Sequence, residues 1–108
     1  MLARKHRLGR VRDFENLKKQ GRSRRTRFFS VRYAASDHPE PRIAVVVSTK
    51  ISKKAVERNK LRRRARSILS KHLHSIPKKT DVAFYANISA KKASFAELSQ
   101  DLDHFFHA

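Results

Sequence analysis

The chain has 108 residues with 27 Lys and Arg against 9 Asp and Glu, a formal charge of +18 and a pI near 11.5. That length holds one small domain with one modest core over residues 1–108, and the lack of cysteine excludes a disulfide framework and a thiolate metal site. No apolar run approaches a membrane span, and the basic start from Met1 to Arg12 lacks the apolar stretch of a secretion signal, so the expectation is a soluble, cytoplasmic protein with no membrane partner.

Residues 1–11 read as a basic arm, extended or disordered without its partner, in which Leu2, Leu8 and Val11 are the sizeable apolar groups. Arg12 to Gln20 predicts a short helix with Phe14 and Leu17 facing inward and Gly21 as its C-terminal cap. Gly21 to Arg27 reads as a basic loop. Phe29, Val31 and Tyr33 alternate with Ser30 and Arg32, the period of a strand with one buried face. Ser36 to Pro41 makes a turn. Ile43 to Val47 is a short, β-branched apolar run, expected of a strand buried on both faces. After the basic helix described next, Pro77 to Thr80 breaks the chain and Val82 to Ala86 is a further strand. Ser94 and Glu97 have the Ser-x-x-Glu spacing of a capping box opening a last helix, whose Phe95, Leu98, Leu102, Phe105 and Phe106 form an apolar face.

The stretch from Lys53 to Arg66 carries the strongest functional signal. Arg58, Lys60, Arg62, Arg63, Arg64 and Arg66 are six cations in nine residues without Pro or Gly. Apolar positions recur at helical offsets through Leu61, Ala65, Ile68, Leu69, His72, Leu73 and Ile76. At about 100° per residue the apolar set is one stripe, and Asn59, Arg62, Arg63 and Arg66 share an adjoining flank. Like charges so spaced destabilise an isolated helix, and Glu57 alone is close enough in sequence to relieve them. A polyanion removes that cost, and the planar fork of Arg suits phosphates and base edges. Asn59 adds a donor and an acceptor able to read a base or sugar. The charge is uneven: residues 1–80 hold 25 bases and 5 acids, residues 81–108 hold 2 bases and 4 acids, so the last quarter is scaffold rather than contact surface.

Catalytic chemistry is not visible in the chain. His6, His38, His72, His74, His104 and His107 are scattered without a metal-ligand signature, so no metal site is expected, and His72 reads as a core-edge residue. Asp101 and Asp103 point to different sides of their helix. Two glycines leave no phosphate-cradling loop, and no nucleophile elbow is present. The polypeptide is expected to break no bond by itself.

Pro41-Arg42-Ile43-Ala44-Val45-Val46-Val47-Ser48-Thr49-Lys50, then Ala55 to Glu57, then Arg58-Asn59-Lys60-Leu61-Arg62-Arg63 and Arg66 resemble the signature of the bacterial ribonuclease P protein component. In that family an R-I-G-x-x-V-[SA]-K-K strand leads into an R-N-R-x-[KR]-R helix. The likeness extends to Arg12-Asp13-Phe14, Gly21, Phe29 and the final amphipathic helix. Ala44 stands where Gly is usual, Thr49 where the first Lys is usual, and Lys60 where the second Arg is. Arg32 holds a first-strand position that often carries an aromatic.

The resemblance implies an α+β fold, a small two-layer sandwich like ribosomal protein S5 domain 2, in α-β-β-β-α-β-α order with a left-handed crossover around the basic helix. It implies the accessory subunit of a ribonucleoprotein endonuclease that removes the 5′ leader from precursor tRNA. Its partners would be the catalytic RNA subunit and precursor tRNA, without an obligate protein partner. Mg²⁺ would act through the RNA subunit, the protein binding no cofactor alone. Lys50, Lys53, Lys54, Arg58, Asn59, Lys60, Arg62, Arg63 and Arg66 would contact RNA. A cleft between the first helix and the sheet, with Phe14, Phe29 and Arg32, would hold the single-stranded leader, since unpaired bases stack on aromatics while cations follow the backbone. Plain core remains an equal reading of Phe14 and Phe29. The alternative from composition is a small basic ribosomal protein; a DNA-compacting protein would leave Asn59 and the buried sheet without explanation.

Overall fold

A computed structural model describes residues 3–107; Met1 and Leu2, at the head of the expected arm, and Ala108 lie outside the described residues. The elements are α1 (Val11–Gln20), β1 (Arg22–Arg25), β2 (Phe29–Ala35), β3 (Arg42–Val46), α2 (Ala55–Ser70), β4 (Thr80–Ala86) and α3 (Phe95–His107), with 3-10 turns at Arg4–His6, Leu73–Ser75 and Ile88–Lys92. The sheet order is β1-β2-β4-β3. The pairs β1/β2 and β2/β4 are antiparallel, and β3/β4 is parallel. Parallel neighbours need a crossover, and the basic helix α2 is that crossover. The α+β class and the element order are those expected.

Strand alternation sorts the side chains into two cores. On one face Phe29 and Val31, Ile43 and Val45, and Val82 and Phe84 meet Leu61, Ala65, Ile68 and Leu69 of α2 and Leu98 and Leu102 of α3. Phe29 and Phe84 pack edge to face at 6.2 Å. Each fully buried Leu or Phe here stabilises by about 1.5–3 kcal/mol. The opposite face is paved with Ala34, Ala44 and Ala83, small enough for α1 to lay Leu17 against them, and Leu8 closes this second cluster. The capping box opens α3 as the spacing predicts: Ser94 N–H donates to Glu97 Oε1 at 3.0 Å, and Glu97 N–H to Ser94 Oγ at 3.1 Å. Asp101, one turn on, accepts from Thr26 Oγ1 at 2.7 Å and from the amides of Arg27 and Phe28 at 2.9 and 3.0 Å. Those bonds pin the β1–β2 connection to α3.

Three local expectations change. Arg22 to Arg25, expected as loop, is strand β1; its four side chains are all exposed, so pairing with β2 through backbone bonds leaves no hydrophobic alternation to read. The described part of the arm is ordered against β3: Leu8 N–H donates to Ile43 O at 3.0 Å, Arg7 bridges to Ile43 in parallel, His6 Nδ1 lies 2.8 Å from Pro41 O, and Leu8 is buried. Val11, read as arm, is the first residue of α1. Gly21 does end α1, but with φ −73° it needs no left-handed conformation. Glycine serves there because a Cβ would stand 2.1 Å from Leu17 O, the oxygen its own amide bonds at 2.9 Å.

Candidate nucleic-acid interface

Helix α2 buries Leu61, Ala65, Ile68 and Leu69, which fixes the direction of every cation on it. Asn59 and Arg63 are exposed, and Arg62 and Arg66 are half-buried on the same flank. Arg62 Nη2 donates to Asn59 Oδ1, so the amide orients the guanidinium one turn along. Burial first, then the charges of Arg62 and Arg7, lowers the pKa of Arg66 from its ordinary value. Burial is the larger cause, and the added effect of Arg62 and Arg7 places these three cations within electrostatic reach of one another. Arg7 enters this group from the N-terminal arm, which sequence spacing could not reveal.

The start of α2 is built on the preceding turn. Ser52, buried, donates through Oγ to Glu57 Oε1 and accepts from the amide of Lys54 at 3.2 Å. Arg58 Nη1 donates to Ser52 O at 2.9 Å, so this cation is committed in part to holding the turn. The Glu57 carboxyl sits below its ordinary value, first through the bond from Ser52 and then through Lys91, Lys54 and Lys60. Lys91, from the Ile88–Lys92 turn, thereby comes within electrostatic reach of the first turn of α2, where Lys60 is exposed. Lys50, Lys53 and Lys54 are exposed on the turn itself. The nine expected RNA contacts thus lie on one helix and the turn that leads into it.

The expected cleft residues separate. Phe14 is half-buried on α1, packed against the alanine-paved cluster, against which Tyr85 also packs. Tyr85 pairs with Ser30 on one side and Val46 on the other, giving a half-buried row across the sheet on the face that α1 covers. Phe29 is 0% exposed and belongs to the main core on the opposite face, so it cannot line this cleft. Arg32 lies on the cleft side, but its Nη2 donates to Leu17 O and Lys18 O at 3.0 Å each, its Nε to Leu17 O at 3.2 Å, and its Nη1 to Ser23 Oγ at 3.1 Å. The guanidinium reinforces the last turn of α1, adding bonds to Leu17 O, which the Gly21 amide already reaches, and giving Lys18 O a donor. Tyr85 and Val46, which the sequence did not single out, are half-buried on the sheet face that α1 covers.

The acids are placed for support. Arg42 donates Nε and Nη2 to the two oxygens of buried Asp81, both at 2.8 Å, and its Nη2 lies 3.4 Å from Asp13 Oδ1. The bond to Asp81 is the main reason the Arg42 pKa is raised. These residues border a concavity, with Arg10, Asn16 and His38, at the α1 N-terminus rather than beside the basic helix. Among the described residues, one group of His, Cys, Asp and Glu has ligand atoms close enough to share a metal ion: His72, Asp103 and His107. No helix among the described residues is long and apolar enough to cross a membrane.

The family model for ribonuclease P matches residues 2–108. The ribonuclease P protein component of Thermus aquaticus is 46% identical over 91 residues, which are 84% of this chain and 52% of that protein. That of Acidothermus cellulolyticus is 36% identical over 105 residues, 95% of this chain and 87% of that protein. The chain spans about half the length of the Thermus relatives it matches. The solved structure of the Staphylococcus aureus RNase P protein superposes with a TM-score of 0.82 at 28% identity, covering 92% of this chain and 90% of that one. The Thermotoga maritima RNase P protein gives 0.81 at 28% identity, with 93% and 94% covered.

Proposed function

This chain belongs to the ribonuclease P protein family, and from that premise we propose that it is the RNA-binding subunit that assists removal of the 5′ leader from precursor tRNA. The observation that carries the reading is the oriented set on α2: Asn59, Arg62 and Arg66 share one flank, seated by a fully apolar underside and joined by Arg7. Such a comb docks on the phosphates of a folded RNA, with Asn59 free to exchange its bond to Arg62 for a base or sugar. The half-buried row of Ser30, Tyr85 and Val46, with Phe14 on the helix that covers this face, takes the unpaired leader, the two aromatic rings offering stacking surfaces.

In this reading hydrolysis belongs to the RNA subunit and to its Mg²⁺. The chain's own residues do not suit that ion: Asp13 and Asp81 are engaged by Arg42, and the His72, Asp103 and His107 group is rich in nitrogen where Mg²⁺ prefers oxygen. What the protein supplies is positive charge that screens two polyanions from each other, and a groove that holds the leader. The test is cleavage of precursor tRNA by a cognate RNA subunit, with and without the protein, across Mg²⁺ concentrations. The protein lowers the Mg²⁺ requirement and is inactive alone; cleavage by the RNA-free protein, or an unchanged requirement, overturns the reading. Co-purification of ribosomal RNA in place of a single catalytic RNA would favour the ribosomal alternative.

A further inference from the structure

The end of α2 and the end of α3 carry three side chains that neither the RNA comb nor the leader cleft uses. His72 follows α2, and Asp103 and His107 stand one turn apart on α3. His72 Nε2 lies 3.7 Å from Asp103 Oδ1, and His107 Nε2 lies 3.5 Å from the same oxygen. All three ligand atoms are within 4.8 Å of one another. The 3.5 and 3.7 Å separations are long for hydrogen bonds. They are close to the spacing that a tetrahedral ion imposes, since bonds of about 2.0–2.1 Å put neighbouring ligand atoms about 3.3 Å apart.

We propose that His72, Asp103 and His107 bind a borderline transition-metal ion of the Zn²⁺ class, clasping the end of α3 to the end of the basic helix. Two imidazoles and one carboxylate make a donor set that such ions favour and that Mg²⁺ does not. His72 is held in place: its ring stacks on Phe106 with centroids 4.7 Å apart and planes 13° apart, so one ligand is preorganised at the edge of the core. Asp103 and His107 are largely exposed, so the ion enters from solvent without opening the core. The three ligands leave a fourth position for water or another donor. Closing on the ion takes rotation of the two exposed ligands, Asp103 and His107, toward the stacked His72 ring.

The experiment uses the full chain, freed of metal by chelation, and titrates Zn²⁺ by calorimetry at pH 7.5, with Co²⁺ as the spectroscopic probe. One ion binds per chain with a Kd of about 10 µM or tighter, Co²⁺ gives a tetrahedral absorption spectrum, and saturating Zn²⁺ raises Tm by roughly 5 °C or more. Because His72→Ala also removes a stacked ring, the decisive variants are His107→Ala and Asp103→Asn, both exposed. Each retains the metal-free Tm and weakens Zn²⁺ by at least about tenfold, whereas His104→Ala leaves binding unchanged. Equal affinity in His107→Ala and the parent, an octahedral Co²⁺ spectrum, or no shift of Tm overturns the proposal.

Discussion

Arg32 and Leu17 are joined twice: Nε and Nη2 of the guanidinium reach the same carbonyl oxygen at 3.2 and 3.0 Å. With the Lys18 carbonyl also bonded, one side chain on β2 satisfies the end of α1 and sets how the helix lies on the sheet. Arg32→Met keeps the aliphatic length and removes the donors. It should destabilise the protein by about 1–3 kcal/mol in urea denaturation and loosen α1, visible as faster amide exchange at Leu17 to Gly21. Unchanged stability together with weakened RNA binding would instead return Arg32 to the role of an RNA contact.

Phe14 and Phe29 should respond differently to the same truncation. Phe29→Ala empties a sealed site in the main core and costs about 3–5 kcal/mol, impairing every activity through lost folded protein. Phe14→Ala removes a half-buried ring at the cleft. It should cost less stability, yet weaken holoenzyme affinity for precursor tRNA with a leader by about 1–3 kcal/mol while mature tRNA binding is nearly unchanged. Melting curves beside the two binding assays decide the matter. Equal loss for both tRNAs would place Phe14 in the core.

Replacing Arg62 and Arg66 together by Ala leaves the apolar underside of α2 intact and relieves the crowding of Arg66 by its neighbours. The double variant should melt no lower than the parent. Its binding to the catalytic RNA should weaken, with the slope of log K against log salt reduced by roughly 1.4–1.8 for two lost phosphate contacts. Identical slope and affinity would show the flank to be only solvated.

Asp81 is buried and joined to Arg42 by two parallel bonds, so Asp81→Asn removes the charge that Arg42 pairs with most closely and leaves it only Asp13, 3.4 Å away. The expected loss is about 3–5 kcal/mol. Replacing both partners by apolar residues of similar volume should cost less than the single change. A double-mutant cycle by chemical denaturation measures the difference, and additive single effects would contradict the coupling.

The capping box gives a pH dependence with a definite sign. Two bonds with Ser94, from its amide and its hydroxyl region, and the nearby Arg27 hold the Glu97 carboxyl below its ordinary value of 4.5. A carboxyl lowered on folding adds stability that is fully present above its unfolded pKa and is lost as pH falls through the folded one. The difference in Tm between the parent and Glu97→Gln should therefore be constant near neutrality and shrink as the medium is acidified below about pH 4.5. A difference that grows in acid would contradict this.

The legible parts of the chain were those whose side chains repeat with a burial period. The alternation of Phe29, Val31 and Tyr33, the stripe on α2 and the Ser94 box each report a local relation to one apolar face. Strand β1 has no such face, and its pairing is written only in backbone bonds. The cleft was half legible because alternation says that Phe29, Val31 and Tyr33 lie together, but not which helix covers them; that follows from the sheet order. Arg7 near Arg66, Lys91 near Glu57, Tyr85 and Phe14 on one shared cluster, and His72 beside Asp103 all join distant segments. No spacing rule reaches across such separations.

The two borders of the sheet face different neighbours. At β3 the arm residue Arg7 already occupies the outer position. At β1 the outer backbone groups are bordered by Arg22, Arg24 and Arg25, all exposed. A second copy adding there would align three arginines with three of its own, a repulsion that blocks edge-to-edge growth of the sheet. Resistance to aggregation is thus supplied by the same charge that draws RNA, and it weakens once that charge is neutralised. Crowded onto a long polyanion, these chains would lose the electrostatic guard that keeps them apart in its absence.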